Sequence, residues 1–359
     1  MNSMERVLAT VAGKPRDRCA FTAMLSLYGA RLTSCDIERY YTDPAAYAQG
    51  QLAVLETFRP DILLSPLAFA SMGTAFGSKL HFFADQPPNI RRPAIASADE
   101  WDRLVLPDPG THPHLLFFRE TVRGMAAKTR GEVPIAAVLP SPMDFPILIM
   151  GIEEWLQTVL FDAPRARRIV DDIMPLFVHM ANGMLEDGCT FIVVSCAFAS
   201  PAIVTREIVT GFSRPSLERA LAQLKGPVLL HNTGAPFLRY LDLLRGLPST
   251  IAFAVDCLDD LGEARQAVGP DAVLFGGPFG PNFPSKTAAQ VEEKCRAILE
   301  GRRRDPHFIL FTAGADIPLN TPPENIHAIR RAAEAQGAIA GKPGPAPGIK
   351  EGAGSGASA

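Results

Sequence analysis

The stretch "FIVVSC" at residues 191–196 is an unbroken run of apolar and small residues with no polar alternation. A second run of this kind, "IAFAVDC", occupies residues 251–257. Such runs are typical of parallel strands that are covered on both faces. Between the runs lie segments of helical period, such as residues 164–188, which end at a glycine. The alternation predicts an α/β fold with a parallel sheet.

The number of strand-length runs narrows the architecture. Eight runs with intervening helices favour a single (β/α)8 TIM barrel over an open doubly wound sheet. An insertion near residues 68–113 contains a predicted hairpin, "SKLHFFADQPPNIRRPAI", that we expect to lie over the barrel mouth. The predicted strands are Arg18–Met24, Asp61–Pro66, Val133–Leu139, Thr190–Cys196, Pro227–His231, Ile251–Cys257, Ala272–Gly277 and Phe308–Thr312.

Composition limits the class of protein. The chain has 359 residues, of which 47% are hydrophobic and 20% charged, with a formal net charge of -3. This slightly acidic balance argues against nucleic acid or an anionic membrane as the main partner. Neither a signal peptide nor a long apolar span is visible, and the six scattered cysteines are interpreted as reduced thiols, so we expect a cytoplasmic protein. Residues 1–340 are predicted to form the barrel, and the Gly/Pro/Ala-rich residues 341–359 a disordered tail.

The stretch "GPVLLHNTGAP" at residues 226–236 places His231 at the end of a predicted strand. In a (β/α)8 barrel the active site lies at the carboxyl ends of the strands. Three interpretations of His231 stay open: a metal ligand, a general acid or base, and a buried histidine bonded to a neighbouring carbonyl.

Four other side chains lie at the ends of predicted strands or in the loops after them, and each has alternative roles. Asp316 is interpreted as an acid, a base or an oxygen ligand, or as a loop cap. A buried carboxylate such as Asp256 needs a partner, so it either orients His231 or a substrate group, or caps the next helix. Asp144 either contacts substrate or caps a helix, and Cys196 has the character of a small buried residue.

Four segments in order resemble the uroporphyrinogen decarboxylase superfamily, a TIM-barrel group that includes zinc-dependent methyltransferases acting between a corrinoid protein and a thiol. Together they extend the likeness over roughly residues 4–333. They are "MERVLATVAGKPRDRCAF" (4–21), "LPSPMDFPILIMGIEEWLQTVLFDAP" (139–164), "VDCLDDLGEARQAVGPDAVLFGGPFGP" (255–281) and "FTAGADIPLNTPPENIHAI" (311–329).

The sequence departs from the decarboxylases of this superfamily. Their Arg-x-x-x-Arg segment, which holds the carboxylates of a porphyrinogen, corresponds to "MLSLYGAR", where only Arg31 matches and Leu27 replaces the other arginine. Their essential aspartate lies after the second strand. Here the aspartate of that region, Asp61, lies at the start of the strand, so it does not match. Porphyrinogen decarboxylation is therefore disfavoured.

The sequence also departs from the methyltransferases, whose zinc is bound by a His-x-Cys and a later cysteine. His231 is present, but Thr233 and Ala315 replace the two cysteines. A hydroxyl and a methyl group cannot replace thiolates, so we expect zinc to be absent. A regrouped site of His231, Cys196 and Cys257 is the alternative metal centre.

The resemblance implies a methyltransferase-like enzyme that transfers a methyl group to or from a corrinoid without the usual zinc. The sequence has no Asp-x-His-x-x-Gly cobalamin motif, so the corrinoid would be free or bound to a partner protein. Two alternatives stay open: a decarboxylase or lyase on a tetrapyrrole-like or smaller substrate, and a non-catalytic corrinoid- or tetrapyrrole-binding paralogue.

The candidate site residues follow from this interpretation. An apolar methyl donor or acceptor would contact the predicted apolar mouth, formed by Phe69, Met72, Phe145, Met150 and Phe198. The catalytic candidates are His231, Asp256 and Asp316, and the substrate-binding candidates are Arg31, Asp144, Cys196, Thr233 and Asn320.

Overall fold

The computed structural model describes residues 1–341 and contains one curved sheet of eight parallel strands. All eight predicted strands are confirmed. The sheet order is β1-β10-β9-β8-β7-β6-β5-β2, while β3 and β4 form a separate antiparallel pair. The strands are β1 (Phe21–Thr22), β2 (Leu63–Leu64), β3 (Lys79–His81), β4 (Asn89–Arg92), β5 (Ile135–Pro140), β6 (Phe191–Ser195), β7 (Val228–His231), β8 (Thr250–Ala254), β9 (Val273–Gly276) and β10 (Phe308–Phe311).

Helices follow the strands and cover the outer face of the sheet. Their ends carry local signals: Asp43 caps one helix ahead of Pro44, and Thr287 forms a capping box with Gln290 in another. They are α1 (Ser3–Val11), α2 (Tyr28–Leu32), α3 (Ile37–Tyr40), α4 (Pro44–Phe58), α5 (Phe69–Thr74), α6 (Pro113–Thr129), α7 (Ile147–Met150), α8 (Ile152–Phe161), α9 (Ala163–Glu186), α10 (Arg206–Ile208), α11 (Arg214–Leu221), α12 (Leu241–Leu244), α13 (Leu261–Val268), α14 (Ala288–Gly301) and α15 (Pro323–Gln336).

Alternation along each strand separates two apolar clusters. Outward side chains such as Ile192, Val194 and Leu230 pack against the helices. Inward side chains such as Val193 and Leu229 form a second cluster inside the barrel. Neighbouring strands are level with one another, because Ser195 pairs with His231 and His231 with Ala254. The last residues of these strands therefore meet at the same end of the barrel.

The seam between β1 and β2 is closed by one backbone hydrogen bond and two side-chain hydrogen bonds rather than by a ladder. The N–H of Asp61 donates to Phe21 O at 2.8 Å, and the Phe21 N–H donates back to Asp61 Oδ2 at 2.9 Å. Thr22 Oγ1 adds a bond to Ile62 O at 2.9 Å. The predicted strands at 18–24 and 61–66 were thus too long, since only two residues of each extend the sheet.

Asp61 also binds two arginines at the bottom of the barrel. Its carboxylate is fully buried and accepts hydrogen bonds at 2.6 Å from Arg6 and from Arg18. A buried carboxylate is stabilised only when it is paired in this way. The cluster joins α1 and the chain before β1 to the start of β2.

The predicted hairpin in the insertion near residues 68–113 is confirmed. The strands β3 and β4 pair antiparallel, and α5 precedes them. The turn between them, with Asp85, Gln86 and Pro87, lies against the cavity at the barrel mouth. The hairpin therefore covers part of the entrance.

Two further predictions concern a C-terminal tail and the lack of a membrane-spanning segment. The segment 341–359, predicted as a tail, lies outside the described residues except for Gly341. In the described part of the chain, no helix is long and apolar enough to cross a membrane.

We expect Asp61→Asn to destabilise the fold by about 3–5 kcal/mol, because the substitution leaves two arginines without their buried counter-charge. Urea unfolding measures the change. The control is Asp171→Asn, which breaks an exposed ion pair with Arg219 and should cost at most about 1 kcal/mol. Equal effects of the two substitutions would contradict this role of Asp61.

Candidate active site

A cavity of about 1190 Å³ opens at the carboxyl ends of the barrel strands and extends into the barrel. Its wall is mostly apolar, with Phe191, Phe275 and Phe311 pointing in from three strands. The polar side chains of its wall are few. They are Thr22, Asp85, Gln86, Ser195, His231, Thr233, Asp316 and Asn320.

His231 is the last residue of β7 and points into this cavity. The backbone turns at Thr233, whose φ of 61° lies in the left-handed region. This turn brings the Thr233 N–H within 3.0 Å of His231 Nδ1, to which it donates a hydrogen bond. A neutral imidazole that accepts at Nδ1 carries its proton on Nε2. The geometry therefore assigns an Nε2–H donor to His231.

That donor has no partner among the described residues. His231 is only 7% exposed, and its Nε2 is buried without a hydrogen bond. Burial lowers the pKa of His231 to about 4, although the charge of Asp256 opposes the shift. At neutral pH the side chain is thus an uncharged donor in the wall of a mostly apolar cavity.

Asp316 lies in the loop after β10 and lines the same cavity. Its Oδ1 accepts the Leu27 N–H at 3.2 Å, and the carboxylate is also bonded to the Ser26 backbone. Burial nevertheless raises the pKa of the Asp316 carboxyl to about 7. A group with this pKa both gives and takes a proton near neutral pH.

The loops that carry His231 and Asp316 approach each other across the mouth. The ring of His231 lies edge to face against Phe311 with centroids 5.8 Å apart, although β7 and β10 are not neighbours in the sheet. A Cβ atom at Gly234 would lie 3.9 Å from Gly314 Cα. The structure thus brings together His231, Thr233, Asp316 and Asn320 of the predicted site residues.

The other predicted carboxylates lie outside the cavity wall. Asp144 is buried and accepts hydrogen bonds from the backbone of Ala197 and Phe198, both at 2.9 Å, and burial raises its pKa to about 7. Asp256 accepts from Asn232 Nδ2 at 3.2 Å and from the Leu258 N–H at 3.0 Å. These contacts hold loops together, and Asp256 acts on His231 by its charge rather than by a hydrogen bond.

Arg31 and the two predicted cysteines also lie outside the wall. The Arg31 guanidinium donates to the Leu319 carbonyl and, at 2.7 Å, to the Thr321 carbonyl, so it supports the loop that carries Asn320. Cys196 follows Ser195 and therefore points to the opposite face of the sheet. Burial raises the pKa of Cys196 well above its usual range and that of Cys257 to about 11.

These positions do not fit a zinc ion. A histidine that binds zinc through Nε2 needs a lone pair there, and His231 has a proton at that atom. Thr233 and Ala315 offer no thiolate, and Cys196 and Cys257 do not line the cavity. Among residues 1–341, no group of three or more His, Cys, Asp or Glu side chains is placed to hold a metal.

Most of the apolar wall was missed in the sequence. Of the predicted apolar mouth only Phe69 lines the cavity, while Met72, Phe145, Met150 and Phe198 are buried in the core between barrel and helices. The wall instead comes from alternate, inward-facing residues of β7 and of nearby strands. They are Leu229, Val193, Phe191, Ala254 and Phe275. Because side chains alternate between the two faces of a strand, every second residue before a strand end is expected to face the cavity, and this spacing identifies them in the sequence.

A family model and the curated relatives all point to the same protein family. The family model described as "Uroporphyrinogen decarboxylase (URO-D)" matches residues 2–336. The chain is 22% identical over 265 residues to uroporphyrinogen decarboxylase of Aliivibrio salmonicida, covering 70% of this chain and 72% of that protein. It is 24% identical over 277 residues to the Escherichia fergusonii enzyme of that name, covering 72% and 75%.

Solved structures show the same fold. A methyltransferase from Methanosarcina mazei superposes with a TM-score of 0.82 at 17% identity, over 93% of this chain and 99% of that one. A B12-independent methionine synthase from Shewanella sp. W3-18-1 gives a TM-score of 0.59 at 13% identity, over 83% and 89%. At these identities the likeness establishes the barrel architecture alone.

We expect the purified protein to retain little zinc, below about 0.2 ion per chain after incubation with excess zinc and desalting, because two of the three ligand positions lack a thiolate and His231 has a proton on Nε2. Elemental analysis measures the content. Near-stoichiometric zinc that is lost on His231→Phe would contradict the assigned tautomer.

We expect Asp316→Asn to stabilise the protein at pH 8 by on the order of 2 kcal/mol. The carboxyl ionises near pH 4 in the unfolded chain but near 7 when folded. Folding with an ionised Asp316 therefore has a cost that grows from about pH 4 and is complete above about pH 7. Asparagine keeps an acceptor for the Leu27 N–H and has no charge.

Urea unfolding at several pH values measures this effect. The gain should shrink towards zero as the pH falls to about 4. The surface variant Asp102→Asn serves as the control and should show no such pH trend. A variant that is less stable than the parent at pH 8 would show that the ionised carboxylate is favoured in the fold.

Proposed function

Because the chain belongs to the uroporphyrinogen decarboxylase family, we propose that it is a methyltransferase-like enzyme that moves a methyl group between a corrinoid and a small acceptor without zinc. The observation that carries the proposal is the presence of Asp316 and His231 in the wall of one cavity. Burial shifts their pKa values to about 7 and about 4. An acid/base group and a permanently neutral donor are thereby combined in one site.

The cavity contains the groups that such a reaction needs from the protein. When a hydroxyl or thiol acceptor is methylated, its lone pair forms the new bond to the methyl carbon, and its proton passes to the Asp316 carboxylate. In the reverse direction, protonated Asp316 returns that proton to the leaving oxygen or sulfur. His231 Nε2–H donates to an acceptor atom of the bound molecule and orients it.

A methylated corrinoid, when bound, supplies the methyl group and retains the electron pair of the broken bond. The likeness to the Methanosarcina mazei methyltransferase over 93% of the chain supports methyl transfer as the reaction type. The corrinoid would be presented at the mouth, either free or by a corrinoid protein. Residues of the hairpin turn, Asp85, Gln86 and Pro87, lie where such a donor would enter.

Decarboxylation of a porphyrinogen is the reaction of the named relatives, but the cavity chemistry disfavours it. No Arg or Lys among residues 1–341 lines the cavity, and its two charged residues, Asp85 and Asp316, are acidic. A substrate with several carboxylates requires cationic partners when it leaves water. Leu27 lines the wall where an arginine would be required, and Arg31 is bonded to loop carbonyls.

The test is incubation with methylcobalamin and a panel of thiols and phenols, followed by the visible spectrum and by mass detection of the methylated acceptor. We expect demethylation of the corrinoid with at least one acceptor. Asp316→Asn should lower the rate about 10²–10⁴-fold, the usual contribution of a general acid or base. Asp102→Asn, which changes an exposed carboxylate that does not line the cavity and is ion-paired with Arg168, is the matched control.

The pH dependence supplies a second check on Asp316. In the direction of acceptor methylation, the carboxylate must be ionised, so the rate should rise with pH and level off above about 7. The Asp316→Asn variant should lose this dependence. An unchanged profile in the variant, or carbon dioxide release from a carboxylated pyrrole, would contradict the proposal.

A further inference from the structure

We infer that the cavity selects an uncharged, largely apolar molecule, which it binds through one acceptor atom that receives a hydrogen bond from His231 Nε2. The inference deepens the proposed function because it concerns the same site. It assigns the class of substrate and gives His231 the role of a specificity-determining donor instead of a metal ligand.

The first support is the unpartnered donor. An imidazole N–H that is buried without a hydrogen bond loses the bond that water would have made. Because Nδ1 is already bonded to the Thr233 N–H, the ring is held in one orientation. Only Nε2–H remains without a partner among the described residues, and it belongs to a side chain that lines the cavity. The complementary ligand atom is therefore an acceptor, such as a carbonyl or ether oxygen.

The second support is the charge of the wall. A carboxylate, sulfonate or phosphate would enter a cavity that no Lys or Arg of residues 1–341 lines, and it would face Asp316 and, at the entrance, Asp85. Transfer of an unpaired anion from water into such a site is strongly unfavourable. The cations of the hairpin that covers the entrance, Lys79, Arg91 and Arg92, do not line the cavity.

The third support is the shape and chemistry of the remaining surface. Five phenylalanine rings, Phe69, Phe191, Phe275, Phe279 and Phe311, contribute to the wall. Small residues, Ala136 and Ala254, leave space between them. Aromatic side chains of this kind favour flat apolar ligands, and the volume of about 1190 Å³ is sufficient for a bicyclic ring system.

The test uses three naphthalene probes that differ in one substituent: 2-acetylnaphthalene, 2-ethylnaphthalene and 2-naphthoate. Their dissociation constants are measured at pH 8 by ligand-observed NMR on the full chain. We expect the neutral ketone to bind about 2–10-fold more tightly than the ethyl compound, the range for one net hydrogen bond. The naphthoate should bind at least about tenfold more weakly than the ketone.

Two variants locate the hydrogen bond. His231→Phe removes the donor and should reduce the preference for the ketone over the ethyl compound to about onefold, without weakening the ethyl compound. His231→Gln keeps an N–H donor and should retain a preference of at least about twofold. Thermal unfolding of both variants verifies that they are folded.

Two results would overturn the inference: tighter binding of the naphthoate than of the ketone, or an unchanged ketone preference in His231→Phe. These readouts require no methyl transfer. If the probes discriminate as expected and the corrinoid assay is negative, the ligand class stands and the methyltransferase proposal fails. If methyl transfer occurs while the probes do not discriminate, the methyltransferase proposal stands and the ligand-class inference fails.

Discussion

The closure of the barrel by Asp61 is the constraint on which the site depends. β1 and β2 are the two ends of the sheet order and do not pair as a ladder. Asp61 joins them through its hydrogen bonds with Phe21 and through Arg6 and Arg18. Closure fixes β1, and the chain that follows β1 provides the Ser26 and Leu27 N–H groups that hold Asp316. An ion cluster at the bottom of the barrel therefore positions an ionisable group at its mouth.

Burial is the common cause of the chemistry at the mouth. A low-dielectric wall favours the neutral form of every ionisable group, which raises the pKa of an acid and lowers that of an imidazole. Asp316 and His231 show these opposite shifts in one cavity. The same wall disfavours an anionic ligand, and it offers no cation from residues 1–341 to compensate. The proposed proton transfer near neutral pH and the proposed selection of an uncharged ligand thus share a single physical cause.

The sequence was sufficient for the barrel because buried parallel strands leave unbroken apolar runs, and residues following those runs included His231, Thr233 and Asp316. It was insufficient for Asp144 and Asp256, because each carboxylate binds a group from another loop, the Phe198 N–H and the Asn232 side-chain amide respectively. The orientation of Cys196 away from the cavity was predictable in principle, since Cys196 is one residue beyond the inward-facing Ser195. The tautomer of His231 depends on the left-handed turn at Thr233, which no sequence pattern specified.

The most direct test of this account is the ¹⁵N NMR spectrum of the His231 ring, assigned with His231→Gln and recorded between about pH 5 and 8. The hydrogen bond from the Thr233 N–H predicts a proton on Nε2, a lone pair on Nδ1 and no titration in this range. A proton on Nδ1, or titration with a pKa near about 6.5, would show that His231 is free to bind metal or to act as a base, and would contradict the central claim.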